Sequence, residues 1–245
     1  MATIAYQLYC SRNFGPLDKT LAMLAAAGFT ATEGYGGLYD QLDALKAGLD
    51  ANGLTMPSGH FAIDMVENDP ARAIHVARTL GMDKVFIPWI HPDHRPTDKA
   101  GWAAFGARLA RIGRPVQDAG FAYGWHNHDF ELVDLGGGET PLDLIAAAGV
   151  DLELDLGWVG VAGKDRVAEL RKFGNRVKAV HVKDRAPAGT KEEDGWADVG
   201  HGTTDWAPIK AELDAQGISH FVLEHDNPAD DKRFASRSLA TVKGW

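Results

Sequence analysis

The stretch Gly120-Phe121-Ala122-Tyr123-Gly124-Trp125-His126-Asn127-His128-Asp129-Phe130-Glu131 carries three signals in order. Gly120 follows the amphipathic segment Trp102–Val116, at a position suited to a left-handed helix cap. The apolar run after it reads as a strand buried in a parallel sheet. Two histidines, an aspartate and a glutamate then crowd the end of that strand. So many groups able to bind a metal at a strand end point to chemistry rather than packing.

The same order of amphipathic segment, glycine and apolar run recurs at Gly28, Gly53, Gly81, Gly149, Gly174 and Gly217. An opening strand, Ile4–Tyr9, precedes these turns. The other strands are expected at Phe29–Glu33, Leu54–His60, Lys84–Pro88, Phe121–His126, Asp151–Asp155, Val177–Val182 and Ser219–Glu224. Eight β/α units in 245 residues predict an α/β protein, a (β/α)8 TIM barrel forming a single domain over residues 1–245. An open doubly wound sheet usually has fewer strands, and no Gly-x-Gly-x-x-Gly turn follows the first strand. Leu17, Leu21, Leu24 and Ala25 mark one face of a helix after Pro16, and Ala71–Leu80 has the same periodicity. The longest loop, Ala186–Gly202, follows the seventh strand.

Composition narrows the partners. Lys+Arg number 25 against 34 Asp+Glu, a net charge of −9 with no basic run, so nucleic acid is disfavoured. Cys10 is the only cysteine, which excludes an internal disulfide and suits a reducing compartment. No signal peptide is evident at the N-terminus, and no apolar run is long enough to span a membrane. The expectation is a cytoplasmic protein with a small-molecule substrate and no membrane partner, for which a homodimer is allowed.

In a barrel of this kind the site lies at the carboxyl ends of the strands. Strand alternation sends residues two apart to the same side. Asp155, His181 and Glu224 then point into the mouth, and a turn after the fifth strand can bring Glu131 over the same point. Two Glu, one Asp and one His suit a single divalent ion: Mn²⁺, Mg²⁺ or Co²⁺, with Zn²⁺ also admitted. Lys183 shares the parity of His181, so its ammonium is expected in the pocket, held by Asp155 or Glu153. His60 ends the third strand and reads as a substrate contact or a packed histidine. Trp89 reads as a sugar-binding floor or as core. His126 and His128 read as substrate contacts or as supports for Glu131. Gly200 and Gly202 read as a phosphate cradle or as turn glycines.

The motifs His126-Asn-His-Asp-Phe-Glu131, Asp155-Leu-Gly-Trp158, His181-Val-Lys-Asp184, Gly200-His-Gly-Thr-Thr-Asp205-Trp206 and Glu224-His-Asp226 resemble those of the xylose isomerase-like TIM barrels called sugar phosphate isomerases/epimerases. The resemblance covers nearly the whole chain. It implies that Glu131, Asp155, His181 and Glu224 are the metal ligands, and that Glu131 and Glu224 are the catalytic acid/base pair. Trp158 stands where the ketose 3-epimerases of this superfamily place a substrate-binding histidine, and Pro187 where they place an arginine. The implied reaction is isomerisation or epimerisation of a sugar or polyol, by proton abstraction α to a carbonyl through an enediolate. Lys183, His60, His126, Trp89 and Trp158 would contact the substrate. The same site could expel a β-hydroxyl as a dehydratase. A non-catalytic sugar-binding barrel and an apurinic endonuclease are the remoter alternatives.

Overall fold

The structure is a computed structural model that describes residues 2–245. Its strands are β1 (Thr3–Gln7), β2 (Ala31–Tyr35), β3 (Thr55–His60), β4 (Lys84–Ile87), β5 (Ala122–His126), β6 (Asp151–Asp155), β7 (Val177–Val182), β8 (Asp184–Arg185), β9 (Trp196–Ala197) and β10 (His220–Leu223). The helices are α1 (Leu17–Ala27), α2 (Leu42–Ala51), α3 (Ile63–Asn68), α4 (Pro70–Leu80), α5 (Lys99–Asp118), α6 (Pro141–Ala147), α7 (Leu156–Val161), α8 (Arg166–Phe173), α9 (Trp206–Gln216) and α10 (Asp231–Lys243). Eight parallel strands close in the order β1-β10-β7-β6-β5-β4-β3-β2, so β10 is the eighth barrel strand. β8 and β9 form a short antiparallel ribbon outside the barrel.

The glycine pattern has a local cause. Gly28 takes φ 94° at the end of α1, its N–H returns to Ala25 O, and the Phe29 N–H returns to Leu24 O. That cap consumes Phe29, so β2 begins at Ala31, two residues later than expected. β1 ends early for a similar reason. The Gln7 side chain accepts the Tyr9 N–H at 3.1 Å and turns the chain into the 3-10 segment Leu8–Ser11.

Alternation divides the side chains into two sets. Tyr6, Trp125, Leu152, Leu154, Val180, Val182, Phe221 and Leu223 pack in the main core with the helices. On α1, Leu21 and Leu24 are fully buried against that layer, each contributing about 1.5–3 kcal/mol. Ala5, Ala31 and Val222 form a separate small cluster, the apolar part of the barrel interior. Gln7, Glu33, Ser58, Glu153 and His181 are also buried, and Gln7 Nε2 donates to Glu33 Oε2 at 2.8 Å. Much of the interior is therefore polar and hydrogen-bonded, which is what burying such groups requires.

The loop after β7 is fixed by one side chain. Asp184 accepts the N–H groups of Arg185, Thr204, Gly200 and Gly202, and the indole N–H of Trp206, at 2.9–3.1 Å. Gly200 and Gly202 therefore bind a carboxylate of the chain itself, which settles them as turn glycines. A side chain on Gly202 would collide with Asp184 and the Arg185 carbonyl. Asp184→Ala leaves these donors without their acceptor. At about 1–3 kcal/mol for each buried group left unpaired, the loss should reach at least about 3 kcal/mol in urea denaturation. Limited proteolysis should then cut the segment 186–199 faster than in the parent. Unchanged stability and protection would contradict this role.

Candidate metal centre

The centre is built from the ends of β5, β6, β7 and β10. Strand parity turns His126 inward from β5, Asp155 from β6 and His181 from β7, and Glu224 follows β10 on the same side. One ligand-capable atom from each of the four lies within 4.8 Å of all the others. All four residues are buried. His181 Nδ1 is 2.8 Å from Glu224 Oε2 and 3.8 Å from Asp155 Oδ2, while His126 Nε2 is 3.9 Å from Asp155 Oδ2. Asp155 Oδ2 is buried without a hydrogen-bond partner. Its other oxygen accepts the Trp158 N–H at 2.8 Å.

The surroundings prepare these groups to hold a cation. His181 Nε2 is 2.8 Å from Glu33 Oε2 and 3.1 Å from Glu153 Oε2, which orients the ring with Nδ1 toward Asp155 and Glu224. Burial opposes a charge on His181, but Glu153, Glu224 and Glu33 together raise its pKa well above the usual value. A divalent cation takes the place of a proton at such a nitrogen. Burial lowers His126 to about 3, so it is a neutral imidazole, the ligating form. Burial also raises Asp155 to about 7, and a cation would relieve this. The oxygen and nitrogen donor set and the unpartnered Asp155 oxygen therefore fit one divalent ion. His60, His126, Glu153 and His181 form a second group within the same 4.8 Å limit. His60 Nε2 is already hydrogen-bonded to Glu153 at 2.6 Å, so we read that group as support beneath the centre.

Glu131 is not part of either group. It lies in the 3-10 turn Phe130–Leu132, and its carboxylate accepts the Trp125 indole N–H at 2.7 Å and the His128 N–H at 2.8 Å. Trp125 faces outward and packs edge-on against Phe105 of α5, with ring centroids 5.4 Å apart. A buried indole N–H needs an acceptor, and Glu131 supplies it in the outer layer. Burial pushes its carboxyl up to about 8. Glu131, expected in the centre, is thus held in the outer layer here, and His126, next to Trp125 on β5 and of opposite parity, stands in the cluster.

Lys183 is buried with strong partners. Its Nζ is 2.6 Å from Asp226 Oδ1, 3.3 Å from Glu224 Oε2 and 3.6 Å from Asp155 Oδ2. It also lies 4.3 Å over the Trp196 ring and 5.0 Å over that of Trp158. Burial works against the charge, yet Asp226, Glu224 and Asp155 together raise its pKa. Of the two partners expected, Asp155 is present and Glu153 is absent. The ammonium sits behind Glu224 and Asp226, the side chains that line the cavity, rather than opening into it. Trp158 packs on His128, with ring centroids 5.3 Å apart, and helps cage the lysine.

A cavity of about 820 Å³ opens over the centre. His60, His126 and Trp89 line it, as do Tyr9, Tyr35 and His128. Glu33 and Asp226 are the residues that the sequence analysis missed. Glu33 carried a signal of its own: a carboxylate within a strand otherwise fit for burial.

The sequence matches the family described as xylose isomerase-like TIM barrel over residues 21–242. It is 28% identical over 188 residues to the rhizopine catabolism protein MocC of Rhizobium meliloti. That match takes in 69% of this chain and 58% of the relative, so the chain spans little more than half of its length. A sugar phosphate isomerase/epimerase from Parabacteroides distasonis superposes with a TM-score of 0.84 at 20% identity, over 99% of this chain and 94% of that one. The probable 3-DHS dehydratase AsbF of Bacillus anthracis, involved in petrobactin synthesis, superposes with a TM-score of 0.77 at 12% identity, over 99% of each chain. With a barrel of this topology and a family match over most of its length, the chain belongs to the xylose isomerase-like TIM barrel family.

Proposed function

We propose that the protein is a divalent-metal-dependent sugar isomerase or epimerase that removes a proton α to a carbonyl. The observation that carries this reading is the convergence of His126, Asp155, His181 and Glu224, of which His126 and Glu224 line the cavity, with one Asp155 oxygen lacking a hydrogen-bond partner. His126, Asp155, His181 and Glu224 would hold the ion, which supplies Lewis-acid polarisation of a carbonyl and the hydroxyl beside it.

The chain's own groups do the proton work. Glu224 lines the cavity. Burial disfavours its charge, but Lys183 and His181 hold its carboxyl well below the usual range, so it is ionised and able to accept a proton. Lys183 fixes Glu224 and Asp226 from behind and offsets their charge. With Glu131 committed to Trp125, the second acid/base group would be His60, which opens on the same cavity and is paired with Glu153 at 2.6 Å.

One observation favours a dehydratase as the second reading. Asp226 lines the cavity, and burial raises its carboxyl despite Lys183 beside it. With its carboxyl raised and that of Glu224 held low, Asp226 is the better proton donor of the two for a departing β-hydroxyl.

The test is exchange of substrate C–H hydrogen for solvent deuterium across a panel of keto-sugars. Exchange should require Mn²⁺, Mg²⁺ or Co²⁺, stop after chelation and return when the metal is restored. Product that lacks one water would select the dehydratase. No exchange with any metal across the panel would refute the reading.

Two substitutions probe the roles. Glu224→Gln should fold normally and lower kcat by about 10²–10⁴-fold, the usual loss of a general base. His126→Ala should cost bound metal, measured by elemental analysis of the dialysed protein. Glu131→Gln should keep it, while placing an amide N–H against one of two donors and costing about 1–3 kcal/mol of stability. Metal lost from the Glu131 variant and retained by the His126 variant would reverse the assignment.

A further inference from the structure

The cavity is offset from the metal centre. Glu224, Asp226 and His126 border it, while the rest extends over the ends of β2, β3 and β4, past Tyr35, Asp64 and Trp89. No β6 or β7 side chain is part of its wall. At about 30 Å³ for each water-sized group, the six carbon–oxygen units of a hexose fill roughly 180 Å³. One sugar ring over the centre would thus leave most of the 820 Å³ empty.

The remaining space is walled by aromatic faces and polar edges. Trp89 is 43% exposed although it belongs to the cavity wall. His91 meets its ring nearly edge-on at a centroid distance of 5.6 Å. Arg95 Nε donates to the Ile90 carbonyl and ties the same loop. On the β1–β2 side, Tyr9 is 39% exposed and meets Tyr35 edge-on at 5.3 Å. The Arg12 guanidinium lies 3.8 Å over the Tyr9 ring and donates to the carbonyls of Tyr9 and Asp226, at 2.9 and 2.7 Å. Both aromatic groups are therefore braced on their loops. Asp64 and His91 line the same outer part of the cavity. Exposed rings with polar groups at their edges match a pyranose, which has an apolar C–H face and a rim of hydroxyls.

We infer that the outer part of the cavity is a subsite for a second ring. The reacting sugar sits at the metal centre, and a glycosidically linked ring stacks on Trp89, so the substrate class is a glycoside or disaccharide rather than a free monosaccharide. This rests on the sugar chemistry proposed above, but its test reads binding alone. The full chain loaded with Mn²⁺ is titrated calorimetrically with maltose, cellobiose, sucrose and trehalose, and with the two methyl glucosides. At least one two-ring sugar should bind about tenfold or more tightly than its one-ring counterpart, the gain expected of an aromatic contact with its buried area. Trp89→Ala should bring that ratio close to one, and Trp89→Phe should keep most of it. The inference is overturned if no two-ring sugar outbinds the methyl glucosides, or if the ratio survives Trp89→Ala. A two-ring preference in a protein that exchanges no proton would instead count against the proposed reaction and leave the subsite standing.

Discussion

The ammonium of Lys183, caged among Asp155, Glu224 and Asp226, is the interaction on which the site depends. Glu33 and Glu153 lie on the other side of His181, so five carboxylates share the barrel mouth and interior. Such charges cannot be buried together without compensation. Lys183 neutralises one end of the cluster, and His60 and His181 bridge the other through Glu153 and Glu33. Between them lies the Asp155 oxygen that makes no hydrogen bond, with Lys183, His181 and His126 at 3.6–3.9 Å around it. The balance of charge and the direction of the side chains thus converge on one point where a cation would fit.

The outer layer has a complementary constraint. Trp125 lies buried under α5, and its indole N–H has to be satisfied there. Glu131 meets that need, and the turn that brings it back leaves Asn127 free to accept the Asp155 N–H at 2.9 Å. One short segment therefore serves both sides of the sheet: His126 and Asn127 arrange the centre, and Trp125 and Glu131 close the layer behind it.

Much of this was legible in the sequence. The seven glycine turns indicated the number of strands because each of those glycines takes a positive φ that turns the chain back toward the sheet. Strand parity alone put Asp155, His181 and Glu224 together, since a closed barrel leaves the inward residues one place to meet. The place of Glu131 was not legible because it depends on the hydrogen-bonding need of an outward tryptophan, which no periodicity reports. His126 carried the right parity but was assigned to the substrate or to the support of Glu131. Glu33 joins the site by pairing across the barrel with His181, and Asp226 by pairing with Lys183 from the neighbouring strand end, and linear spacing does not encode such pairs.

Four side chains, His126, Asp155, His181 and Glu224, are positioned to surround one cation. A crystal structure of the Mn²⁺- or Co²⁺-loaded protein, with the ion located by its anomalous scattering, tests it most directly. A single strong peak bonded to His126, Asp155, His181 and Glu224 is expected, with Glu131 still hydrogen-bonded to the Trp125 indole. A peak coordinated by Glu131 with His126 turned away, or no peak among these residues at saturating metal, would contradict it.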